Sequence, residues 1–377
     1  TIRGRGVASR PAGRFARAEV EHEPEQEQDQ EHDDSPARSP ATQVVPERIR
    51  SLITRNQSPD IPFAQSVNPY RGCEHGCVYC YARPSHAYLD LSPGLDFEQK
   101  IFSKPDAASV LRRELSKPGY ACQPITLGSN TDAWQPVERD LGITRQVLEV
   151  LAEFRHPVTI ITKSALVERD LPLLADLARD RLVSVTTLDD ELKRRMEPRT
   201  PGGRRRIETL RRLSAAGIPC GVLAAPMIPG LNDHELEQII DAAANAGAVY
   251  AGYVLLRLPH EVEPIFVEWL EAQYPLRAAK VQSLVRQSRQ GALNDAAFGR
   301  RMRGTGPFAA LLAQRFAAAC RRHGLNRQSE TALDTTRFRV PPGPGTLRIE
   351  PERAGLEAVE IQRASAASPL AGRALGP

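Results

Sequence analysis

The sequence predicts an α/β protein built on a parallel β-sheet, and three observations carry that prediction. Short β-branched apolar runs alternate with longer amphipathic stretches through most of the chain. Several runs are apolar at consecutive positions, as strands buried on both faces must be. Run after run also ends in small or polar residues, and parallel α/β folds place their ligands at the carboxyl ends of the strands. A doubly wound sheet and a partial α/β barrel both satisfy this alternation.

Strands are expected over residues 64–68, 125–128, 158–162, 182–187, 221–225 and 251–256, with helices over 107–116, 144–154, 170–179, 206–216 and 234–246. Within 144–154, Val147, Leu148, Leu151 and Phe154 share one helical face. Gly217 and Gly247 follow helices at the positions where a left-handed residue ends them, and Asp233 stands where an N-cap belongs. Strand–helix units in series call for right-handed crossovers. The polar strand ends are Gly128-Ser129-Asn130-Thr131-Asp132, Thr162-Lys163-Ser164 and Thr186-Thr187-Leu188-Asp189. These should converge on one face together with the loop that follows the first strand.

Composition bounds the rest. Of 377 residues 41% are apolar, enough to fill a sizeable core. Six cysteines, unevenly placed, do not make a disulfide framework. A tight cysteine cluster without a signal-like segment implies metal binding in a reducing compartment, so a cytoplasmic location is expected. No apolar run reaches the ~18 residues of a membrane span. The net charge of +4 divides unevenly, since residues 1–46 hold six arginines against nine acids, leaving +7 for residues 47–377. That excess permits a polyanionic substrate without requiring one.

The expected organisation is a disordered, low-complexity tail over 1–46, a core over 47–280, a helical C-terminal extension over 281–339, and a Pro/Gly/Ala-rich tail over 340–377. The stretch from Glu19 to Asp34 alternates acids with Gln and His and holds one aliphatic residue, Val20. It buries too little apolar surface to offset its ordering entropy.

The chemistry concentrates in Asn68-Pro-Tyr-Arg-Gly-Cys-Glu-His-Gly-Cys-Val-Tyr-Cys-Tyr-Ala82. Cys73, Cys77 and Cys80 have the spacing C-x3-C-x2-C. Three thiolates can hold three irons of a [4Fe–4S] cubane and leave the fourth open to a small molecule. Gly72 and Gly76 let the backbone wrap closely around such a group. Two non-catalytic alternatives compete. One is a zinc site completed by His75 or His86. The other is an electron-transfer cluster completed by Cys122, Cys220 or Cys320, each of which lies near apolar or small residues and reads better as a packing residue.

The cysteine spacing, the aromatic residue before the third cysteine and the βα units that follow resemble the radical S-adenosylmethionine superfamily. The resemblance implies a partial (β/α)6 TIM-type barrel over roughly residues 60–280. It implies an enzyme whose [4Fe–4S] cluster reduces S-adenosylmethionine, breaking the C5′–S bond and releasing a 5′-deoxyadenosyl radical that takes hydrogen from a substrate. On it, Cys73, Cys77 and Cys80 hold the cluster, and Tyr79 packs near the adenine. Ser129 and Asn130 meet the methionine amino group, and Lys163 meets its carboxylate. Thr186 and Thr187 suit the ribose, Arg199 a carboxylate, and Glu138 a ribose or substrate contact. A flavodoxin or ferredoxin is the implied electron donor.

Cys77-Val78-Tyr79-Cys80-Tyr81, Asn130-Thr131-Asp132 and Thr162-Lys163 resemble, more narrowly, the branch containing spore photoproduct lyase, and nucleic acid becomes a candidate substrate. Tyr79 and Tyr81 match tyrosines that relay a hydrogen atom there. The donor cysteine of that lyase, near the end of its second strand, has no counterpart, because this chain reads Leu127-Gly128-Ser129. Arg286, Arg289, Arg300, Arg301 and Arg303 are candidate phosphate contacts. The competing expectation is that they are surface arginines lying over Leu and Phe.

Overall fold

Among the described residues ten short strands form in chain order: β1 (Gln43–Pro46), β2 (Ile53–Arg55), β3 (Gln65–Val67), β4 (Tyr70–Arg71), β5 (Lys100–Ser103), β6 (Ile125–Leu127), β7 (Val158–Thr162), β8 (Arg181–Ser184), β9 (Cys220–Met227) and β10 (Tyr250–Leu255). The computed structural model describes residues 4–15, 41–177, 181–327 and 333–342. Two units divide the chain, Thr1–Val340 and Pro341–Pro377. Everything below lies in the first, and the expected tail beyond residue 342 lies outside the described residues.

The main sheet has the order β10-β9-β8-β7-β6-β3-β2. Its strands pair parallel from β3 to β10, and β2 joins β3 antiparallel at the edge. The order rises without reversal along the chain. A doubly wound sheet reverses at a switch point, so this is the open, partial (β/α)6 arrangement, and no closed barrel forms. All six expected strands are present. Five connecting helices, Ala107–Leu115, Ile143–Glu153, Leu171–Asp176, Gly203–Ala215 and Leu236–Asn245, stand where amphipathic stretches were expected; residues 178–180 lie outside the described residues.

Burial explains these elements. Val147, Leu148, Leu151 and Phe154 pack into one core with Ile125, Leu127, Val158 and Ile160 from the strands. Each such side chain contributes about 1.5–3 kcal/mol on leaving water. Gly217 and Gly247 take φ of +73° and +93° after their helices, as the C-terminal signal requires.

A second, three-stranded sheet of order β1-β5-β4 was not expected. Strand β1 falls within the segment expected to be an unstructured tail. Most of that segment, residues 16–40, lies outside the described residues, but residues 4–15 and 41–46 are ordered parts of the fold. The reason is tertiary: β5 supplies β1 with backbone partners from Lys100 to Ser103, although all four β1 residues are exposed. The expected helical extension is present as Pro275–Gln287 and Gly306–His323, preceded by Val262–Gln273. Helix Pro275–Gln287 runs across residue 280, so the extension is continuous with the core. Among the described residues no helix is long and apolar enough to cross a membrane.

Two buried polar side chains set the carboxyl ends of the strands. Asn232 donates to the Thr186 carbonyl beyond β8 (2.8 Å) and the Pro226 carbonyl in β9 (3.0 Å), and accepts from Ile228 N–H at 2.6 Å. Arg289 donates to the carbonyls of Leu255, Leu256, Arg300 and Arg301 at 2.6–3.1 Å. It was expected to be a phosphate contact or a surface residue. It is instead a buried clamp between the end of β10 and the 300–301 turn, and burial pulls its pKa down to about 10. Arg301 holds Asp60 through two bonds of 2.8 and 2.5 Å. That pair joins the chain beyond the two edge strands of the sheet, β2 and β10.

Removing Arg289 leaves four carbonyls to find new partners. Arg289→Met is therefore expected to cost about 2–4 kcal/mol, read as a lower urea midpoint with an unchanged slope.

Candidate functional site

The cysteine loop leaves β4 and turns through Gly72 and Gly76, at φ of +77° and +65°. A Cβ at Gly72 would meet the Lys100 and Phe97 carbonyls at 2.9 and 3.0 Å, so only glycine fits this packed, left-handed position. Neighbouring elements fix the rest of the loop by direct bonds. Cys73 N–H donates to Phe97 O (2.9 Å), and Val78 N–H to Met196 O (3.1 Å). Gln135 clasps the loop from both sides, accepting from Glu74 N–H at 2.8 Å and donating to Gly72 O at 3.1 Å.

Charged braces lie beneath it. Arg83 donates to Cys77 O at 2.9 Å, to the carbonyls of Pro93 and Gly94, and to Glu98 at 2.5 Å. Glu98 in turn accepts from Gly6 and Val7 N–H at 2.9 and 3.2 Å. Both Arg83 and Glu98 are 0% exposed. On the far side the Glu197 carboxylate accepts from the Tyr79 and Thr186 hydroxyls and pairs with Arg206. Burial pushes the Glu197 carboxyl up, against the pull of the Arg206 guanidinium.

All three loop cysteines are free thiols, with Cys73 and Cys77 buried and Cys80 partly exposed. Burial pushes the Cys73 and Cys77 thiols well up, and the neighbouring cysteines add to the effect. Such thiols stay protonated until a cationic centre takes the place of the proton. This donor set fits an iron–sulfur cluster. Zinc fits less well. Among the described residues no three His, Cys, Asp or Glu form a group that could hold one ion. Of the two histidines offered for zinc, His86 faces Lys100 O at 3.1 Å with one ring nitrogen and keeps the other buried without a hydrogen-bond partner, and His75 lies 3.5 Å from Asp132. Burial pulls His75 down to about 4, so it is neutral near pH 7.

The strand ends converge on this loop. Asn68 accepts from Asn130 N–H at 2.9 Å and donates to Ser129 Oγ at 3.3 Å. Asp132 accepts from the Thr162 hydroxyl at 2.8 Å and from Lys163 N–H at 2.7 Å. The Lys163 ammonium lies 5.8 Å from the centre of the Tyr79 ring. No carboxylate pairs with it among the described residues. Tyr81 donates to the Ser129 carbonyl, keeps half its surface exposed, and has the Arg257 guanidinium 5.8 Å from its ring centre.

A family model described as the radical SAM superfamily matches residues 67–243. An uncharacterised protein of Mycobacterium tuberculosis (strain ATCC 25618 / H37Rv) is 37% identical over 233 residues, covering 60% of this chain and 68% of that protein. The chain belongs to the radical SAM superfamily. Among solved structures, spore photoproduct lyase complexed with dinucleoside spore photoproduct shares the fold of this radical SAM protein. That likeness has a TM-score of 0.54 at 14% identity, covering 74% of this chain and 79% of the lyase. A variant of the lyase with bound AdoMet and dinucleoside spore photoproduct gives 0.52, also at 14% identity and with the same coverage.

The structure of the radical SAM chain brings together the three cysteines, Tyr79, Tyr81, Ser129, Asn130 and Lys163. Other expected residues are engaged with partners of their own. Thr187 donates to Glu235 at 2.6 Å, and Arg199 pairs with Glu74 at 3.0 Å. Glu138 is buried, bonded to Tyr70 and paired with Arg169 at 2.6 Å. Gly128, where a thiol has no counterpart, has φ of +84°, and a Cβ there would collide with the Ile161 carbonyl. Cys122 precedes β6, at the other end of that strand from the site.

Sequence reasoning missed Arg83, Glu98 and Gln135, passed over Glu197 near Arg199, and gave Asp132 a place at a strand end but no role. Charged residues spaced like surface residues carry no mark of burial. The one available signal was Gly4-Arg5-Gly6, two glycines around an arginine in a tail otherwise rich in polar residues.

Tyr79→Phe keeps the ring and loses the hydroxyl bonds to Glu197 and Thr186. It is expected to cost about 1–3 kcal/mol in thermal or urea melts while leaving reconstituted iron content unchanged.

Proposed function

We propose that this radical SAM enzyme binds one [4Fe–4S] cluster through Cys73, Cys77 and Cys80 and cleaves S-adenosylmethionine reductively to start hydrogen abstraction from its substrate. The observation that carries this reading is the meeting of three free thiols on one braced loop with the Lys163 ammonium beside Tyr79, which no carboxylate pairs among the described residues. When bound, the cluster supplies one electron to the sulfonium, whose C5′–S bond breaks to methionine and a 5′-deoxyadenosyl radical.

The residues of the chain divide the remaining work. Lys163 offers its charge to the methionine carboxylate, and Ser129 and Asn130, held by Asn68, offer polar groups to the amino end. The Tyr79 hydroxyl is taken up by Glu197 and Thr186, which favours an orienting role for its ring. Half-exposed Tyr81 is the better placed of the two to meet a substrate. The buried core around the loop keeps water from the radical. A flavodoxin or ferredoxin is the proposed electron donor.

For the substrate, nucleic acid is favoured by Tyr81 and Arg257, which place an aromatic face and a cation together near the loop. The arginine-dense segment adds less than its composition promised. Arg289 is buried, and Arg300 and Arg301 are paired with Asp295 and Asp60. Arg303 lies 4.1 Å over the Tyr253 ring. Gly128 holds no thiol, which weighs against the lyase's cysteine-dependent reversal step and leaves the first radical step untouched.

Anaerobic reconstitution should load about four irons per chain, and dithionite with S-adenosylmethionine should then release 5′-deoxyadenosine. A fully loaded cluster that yields none overturns the reading and leaves an electron-transfer module; zinc in place of iron and sulfide leaves a zinc site. Lys163→Ala should weaken S-adenosylmethionine binding about tenfold or more with iron content unchanged. If nucleic acid is the substrate, oligonucleotide affinity should fall steeply with salt, and Arg257→Gln should flatten the slope by about one phosphate contact.

A further inference from the structure

Residues 5–15 run across the cysteine loop, although their composition marks them as tail. Gly6 lies so close to the loop that any Cβ there would collide with the Gly76 carbonyl. Its φ is not in the left-handed region, so the requirement for glycine comes from close approach alone. Val7 is buried in one apolar cluster with Cys77, Val78 and Tyr79. The N–H groups of Gly6 and Val7 both donate to the buried Glu98 carboxylate, and Arg5 donates to Glu98 O at 2.6 Å.

Further along, Ser9 O accepts from Leu95 N–H at 3.1 Å, and Pro11 O accepts from the Ser92 hydroxyl at 2.8 Å. The far end is tied down on the other flank of the sheet. Arg14 donates to both oxygens of Glu261, through its N–H at 3.0 Å and its guanidinium at 3.1 Å. Ser9 donates to Glu268 at 2.8 Å. Glu261 and Glu268 belong to the segment after β10, whereas the cysteine loop follows β3 and β4. The segment therefore links the first and last units of a sheet that does not close on itself.

We propose that residues 5–15 are a strap that positions the cysteine loop and seals it from solvent, with Gly6 as the positioning residue on which the seal depends. A cluster beneath the strap rests on the proposed function; the seal itself does not. Sealing has a chemical consequence. A cluster that gains an electron becomes more negative, and water stabilises that charge, so exclusion of water lowers its potential. Exclusion also slows attack by dioxygen.

The test uses the full chain in two states. In iron-free protein, maleimide labelling is followed cysteine by cysteine by peptide mass spectrometry. Gly6→Val should speed labelling of Cys77 about tenfold, while Cys220, buried in the sheet core, labels at the wild-type rate and reports an intact fold. In anaerobically reconstituted protein the same variant should raise the midpoint potential of the cluster and speed its bleaching in air. If Gly6→Val labels Cys220 faster, and so has lost the fold, Arg14→Ala decides. It removes the guanidinium half of the far anchor without adding atoms, the backbone N–H bond to Glu261 remaining, and should speed Cys77 labelling severalfold. Wild-type labelling of Cys77 in folded Gly6→Val, or in Arg14→Ala where that variant decides, overturns the proposal, as does an unmoved potential. Should the labelling behave as expected while no cluster assembles, the strap stands and the proposed function fails.

Discussion

The site depends on one buried ion pair, Arg83 with Glu98. Burying two charges costs several kcal/mol per ion unless the surroundings meet their remaining hydrogen-bonding capacity. Here they do. Among the described residues the Arg83 guanidinium donates to three carbonyls, of Cys77, Pro93 and Gly94, and to the Glu98 carboxylate. Glu98 receives the N–H groups of Gly6 and Val7 as well. One pair thereby ties together the cysteine loop, the turn before helix Leu95–Gln99 and the N-terminal strap. Loss of either partner would leave an uncompensated charge in the interior, so the loop geometry and the pair stand or fall together.

A second buried pair, Glu197 with Arg206, performs the same service on the other side. Through the Tyr79 and Thr186 hydroxyls it connects the loop to the end of β8, and Arg206 reaches back to Ser184 O at 3.1 Å. Braced from both flanks, the loop loses little further entropy when a group binds its thiols, which is the general advantage of a preorganised site. Lys163 and Arg257, which pair with no carboxylate among the described residues, lie beside the loop's tyrosines.

Much of the frame was legible in the sequence because it follows from period and punctuation. The six apolar runs became the six parallel strands, and Gly217 and Gly247 ended their helices as expected. Small polar groups at the strand ends placed Ser129, Asn130 and Lys163 near the cysteines for the same reason, since parallel strands share one carboxyl edge. The second sheet was illegible. Its strands are two to four residues long, and β1 has no apolar pattern of its own.

The sequence by itself determined the local chemistry: three cysteines on one short loop, glycines that let it turn, and an alternation that demands a parallel sheet. These depend on neighbours along the chain, so a linear reading reaches them. Only the tertiary structure decided which charged residues are interior. Arg83, Glu98, Glu197, Arg206 and Arg289 look like surface residues in isolation, and Gly6 like part of a tail. Their burial is favourable only because residues far away in the chain complete their hydrogen bonds. Gly6 and Glu98 are 92 positions apart, and Arg289 and Leu256 are 33. No local pattern records such partners, because the free energy that selects them exists only once the chain has folded.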